Sequence, residues 1–188
     1  LYRNNGNTDA AFSEAFQLAL HTAKRMRENE DEHTGCSPYD VEIRRRCWWT
    51  LGKLFYHRVQ KPSGISGEEM PVMDVTLPLN VNDVDLSTMA GELPKAREGL
   101  TEMSLFLANL EVVRLAASLK LLGSTSFSSE PHVSFEMRRK KLVEESVRKI
   151  ERDFLWHCDT SRPLDWFLML TTKAMLVGRV RLRVVCGR

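Results

Sequence analysis

His157, Cys158 and Asp159 stand side by side and are the residue types of a nucleophile, a base and an orienting carboxylate. Adjacent positions on a helix point about 100° apart, so the three do not face one another there. The run reads instead as the end of one helix, with Asp159, Thr160 or Ser161 capping the next. The remaining cysteines (Cys36, Cys47, Cys186) and histidines (His21, His33, His57, His132) are scattered. The sequence holds no C-x-x-C, no H-E-x-x-H, no glycine-rich phosphate loop and no G-x-S-x-G. No catalytic residue, metal ligand or cofactor site is therefore expected in this chain.

Charges set among apolar residues form a second group. On a helix starting at Pro38, Ile43, Cys47, Leu51 and Leu54 share one side, with Val41, Trp48, Phe55 and Val59 beside them. Arg44 and Arg58 fall inside that face; Glu42, Arg46, Lys53 and Gln60 fall opposite. A charge on a core-facing surface needs a counter-charge. Asp40, four residues before Arg44, is one candidate. Glu102 and Glu111, on a later apolar helix with Arg114, pose the same demand. Asp40, Arg44, Arg58, Glu102, Glu111 and Arg114 are expected to satisfy one another in a buried charge network; the second reading is an acidic effector held by Arg44 or Arg58. Trp48 and Trp49 are expected to anchor the core, with the wall of a ligand pocket as the other reading.

The elements that must position these residues follow from periodicity. Phe12, Ala15, Phe16, Ala19, Ala23 and Met26 predict an amphipathic helix over Asp9–Asn29. Ser37 as cap, Pro38 in the first turn and Asp40 three residues on predict a helix over Pro38–Gln60. Lys61–Asp85, punctuated by prolines and glycines, reads as a long irregular segment whose aliphatic residues pack on the core. Leu100–Gly123 is apolar nearly all round, as in a central buried helix. Phe135–His157 carries one apolar stripe, Val143, Val147, Ile150 and Phe154. A last helix runs from Pro163, although Arg179–Val184 alternates at period two and would also suit a strand. The fold class expected is all-α: a multi-helix domain with one long hydrophobic irregular segment between helices.

The whole chain has 188 residues, 43% of them hydrophobic, and a net charge of only +2. So balanced a charge argues against a dedicated nucleic-acid binder. The basic run Arg138–Lys141 is offset by Glu136, Glu144 and Glu145 and reads as a solvated helix face. No apolar run reaches the roughly 18 residues of a membrane span, so no membrane partner is expected. Unpaired, scattered cysteines suit a reducing compartment. A chain that opens at Leu1 is expected to be part of a longer product.

The run Glu42-Ile43-Arg44-Arg45-Arg46-Cys47-Trp48-Trp49 resembles the signature of the fungal-specific transcription factor domain, the middle homology region of binuclear zinc-cluster transcription factors. Leu77-Pro78-Leu79-Asn80-Val81-Asn82-Asp83-Val84-Asp85-Leu86 is similar to that family's L-P-L-N-V-N-D-x-D-L segment. The motif residues are thus Arg44, Arg45, Arg46, Trp48, Trp49, Leu77, Pro78, Asn80, Asp83 and Asp85. Ser37-Pro38 and Leu110–Leu115 also resemble family elements, whereas Leu54–Arg58 keeps the Arg of an l-D-x-R position without its Asp. The resemblance implies that residues 1–188 are part of one regulatory domain of a nuclear transcription factor and no enzyme. It implies DNA binding only through an N-terminal zinc cluster absent from this chain, which is also where zinc would sit. Implied partners are a second copy, the transcription machinery or a small-molecule effector. A stand-alone helical co-regulator and an enzyme in a helical pocket are the alternative readings.

Overall fold

A computed structural model describes residues 14–23, 37–59, 76–87, 92–125 and 132–185; of residues 57–59, 87, 124, 125, 132 and 179–185 it describes the backbone alone. Every regular element among them is helical: α1 (residues 14–23), α2 (Pro38–Val59), α3 (Asp83–Ser87), α4 (Ser104–Thr125), α5 (His132–Asp153), a 3-10 turn (Leu155–His157) and α6 (Pro163–Val185). The fold is all-α. The chain forms two compact units, one of residues 1–78 and 86–94, the other of 79–85 and 95–188.

In the first unit α1 buries Phe16 and Leu20, which are four residues apart and so share a face. The Phe16 ring stacks on Phe55 of α2 with centroids 5.9 Å apart. The ends of the expected Asp9–Asn29 helix lie outside the described residues. The start of α2 is set by Ser37, whose hydroxyl oxygen accepts the Asp40 N–H at 3.1 Å and whose O–H donates to the Asp40 carboxylate at 2.7 Å. Pro38 occupies the first helical position, where its missing N–H costs nothing.

The second unit is built on α4, which packs on α5 and on α6. Leu107, Ala108, Leu110, Val112, Val113, Leu115, Ala116 and Leu119 are buried, as an all-round apolar composition requires. This helix starts at Ser104, not Leu100. Thr101 caps it: the Thr101 hydroxyl oxygen accepts the Met103 N–H at 3.1 Å, and the Ser104 hydroxyl oxygen accepts the Thr101 N–H at 2.7 Å. The expected Phe135–His157 helix is also corrected: α5 ends at Asp153 and the chain tightens into the 3-10 turn. Through Arg179–Val184 the backbone of α6 stays helical, so the strand option falls. Of the three caps expected for α6 (Asp159, Thr160 or Ser161), Asp159 turns its carboxylate to the N–H and O–H of Ser161 instead.

Most of the expected irregular segment lies outside the described residues. Its end is not irregular throughout, because Asp83–Ser87 forms a short helix. Asn82 and Asp85 make that turn. The Asn82 carbonyl accepts the Asp85 N–H at 3.0 Å, and the Asp85 carboxylate reaches back to the Asn82 N–H at 2.9 Å.

Candidate functional site

The arginine–tryptophan motif lies on the middle of α2. Trp48, Trp49, Phe55 and Tyr56 are buried, and the Trp49 indole N–H donates to the Thr76 carbonyl at 3.1 Å. Glu42 is also buried, with none of its surface exposed. The face expected to be apolar is therefore displaced around the helix. Cys47 and Leu54, placed at its centre, are exposed, and Glu42, placed opposite, faces inward. Two adjacent tryptophans outweigh the smaller side chains in choosing which side is buried, and Glu42 lies seven residues before Trp49, two turns down the same side.

A carboxylate can stay ionised in such a place only with counter-charges at hand. Arg46 supplies one, its Nε 3.1 Å from Glu42 Oε1, and Arg45 another, its Nη1 3.9 Å from Oε2. The buried charge group of α2 is thus Glu42 with Arg45 and Arg46. Asp40 is exposed and bonded to Ser37. Arg44 is half-buried, and the expected Asp40–Arg44 pair does not form among the described residues. The side chain of Arg58 lies outside them. The Glu42–Arg46 spacing of four was the overlooked signal; it is the favourable order for a helical ion pair, acid before base.

The asparagine–aspartate motif works through its polar side chains. Asn80 donates from Nδ2 to the carbonyls of Arg97 and Gly99, both at 2.9 Å, and its Oδ1 accepts the Thr101 hydroxyl at 2.7 Å. The Asn80 carbonyl accepts the Arg97 N–H at 2.8 Å. Asn82 Oδ1 accepts the Glu102 N–H at 3.0 Å, and Glu102 accepts the Asp83 N–H at 2.8 Å. Asp85 forms an ion pair with Arg97, which holds its carboxyl below the usual carboxylate range. Residues 80–85 are thereby laced to 97–102, the entry to α4. Gly99 serves this junction with a φ of +83°, a conformation that side chains disfavour. Val81 is fully buried under the network, while Val84 is exposed. Arg97 was not marked by sequence reasoning, because it belongs to no periodic pattern, and Thr101 was read as part of the helix from Leu100 rather than as the start of the turn before it.

The remaining expected charges form a third group. Glu111 on α4 accepts from Arg114 Nη1 at 3.1 Å and from Lys149 of α5, an ion pair that joins the two helices. Glu102 is exposed and belongs to the loop network instead.

The His-Cys-Asp run makes no dyad. The Cys158 thiol donates to the Phe154 carbonyl at 3.5 Å, and burial with the nearby Asp165 carboxylate pushes its pKa up, against thiolate formation. Burial likewise pushes the Lys53 ammonium down. Among the described residues no group of three or more His, Cys, Asp or Glu could hold a metal ion. Nor is any described helix long and apolar enough to cross a membrane.

Comparison with curated proteins finds named relatives of this chain. The chain is 28% identical over 151 residues to the aurofusarin cluster transcription factor aurR2 of Gibberella zeae, covering 79% of this chain and 22% of that protein. It is 27% identical over 175 residues to the transcriptional regulator AacuB of Aspergillus aculeatus, covering 89% and 23%. It is 29% identical over 170 residues to the transcriptional regulator nsrM of Aspergillus novofumigatus, covering 88% and 22%. The chain is similar to fungal transcription regulators. It spans less than a quarter of the length of these relatives. No family profile matches it, and no solved structure does.

Proposed function

We propose that this chain is part of the regulatory region of a fungal transcription factor and acts in the nucleus through protein contacts rather than catalysis. The observation that carries this reading is the similarity to three named regulators over 79–89% of the chain. The geometry supports it. Residues 42–49 and 77–86, which carry the motif resemblance, use most of their polar groups on helix starts, a buried ion group and a loop junction. A scaffold that displays helix faces is what such a network builds. DNA would be met by another part of the longer product, through the zinc cluster that the motifs imply. Control would come through the transcription machinery, a second copy or a small effector.

Transcript profiling tests the reading in a fungal strain whose gene lacks only the codons of this segment. The expected result is altered transcription of a limited gene set while the truncated product persists at normal abundance. A transcript profile indistinguishable from the parent would overturn it.

A further inference from the structure

We draw no further inference here: the strongest candidate, the exposed apolar stripe of Phe167, Leu170, Ala174 and Val177 on the outer face of α6, carries nothing, because nothing in the structure shows what covers it.

Discussion

At the scale of single residues the carboxylate of Glu42 carries the most consequence. It is buried with two arginines, and removal of one member of such a group leaves uncompensated charge behind. Glu42→Ala should therefore cost about 3–5 kcal/mol in chemical denaturation. The tryptophans give a second test. Trp48→Ala and Trp49→Ala should each cost about 3–5 kcal/mol, while Cys47→Ala, at an exposed position of the same helix, should change little. A tryptophan variant as stable as its parent would mean that the ring is not a core anchor. Asn80 makes a third. Its side-chain amide joins two carbonyls and a hydroxyl, so Asn80→Ala should cost about 2–4 kcal/mol, several times the worth of one neutral hydrogen bond. Urea midpoints of these variants decide all three.

At the scale of elements, the helices of this chain were legible where their ends carry capping chemistry and where apolar residues recur. Ser37 and Pro38 marked the start of α2, and the apolar residues lying nearly all round α4 marked it as the centre of its unit. What periodicity could not supply was the rotation of α2 about its axis. Apolar and charged residues alternate so closely there that several faces look alike, and the choice rests on where two indole rings find room. Nor could it supply the 80–85 to 97–102 junction, whose bonds join residues far apart in sequence without any repeat. The short α3 had a readable signal, Asn82 followed by Asp85, but five residues are too few to show a period.

That junction has a pH signature. Arg97 beside Asp85 holds its carboxyl low, and the Ser161 hydroxyl and N–H do the same for Asp159. A group whose native pKa lies below its unfolded value adds stability in full above the unfolded value, near 4. That stability is lost as pH falls through the lower native value. Urea midpoints measured between about pH 5 and about pH 2 should therefore fall with acid in the parent and fall less steeply in Asp85→Asn. Parallel curves would show that the Arg97 pair adds nothing to the junction.

At the scale of the whole molecule, we propose that this chain is part of a regulator of transcription. Its relatives carry the names of transcription regulators. The motif resemblance and the relatives' names point the same way. The most direct test is a reporter measurement in a fungal host. The 188-residue chain is fused behind an unrelated DNA-binding domain, and reporter output is compared with that domain alone at matched protein levels. The expected result is a clear change in output, in the direction of restraint or of recruitment. A soluble, folded fusion whose output equals that of the bare DNA-binding domain would contradict it.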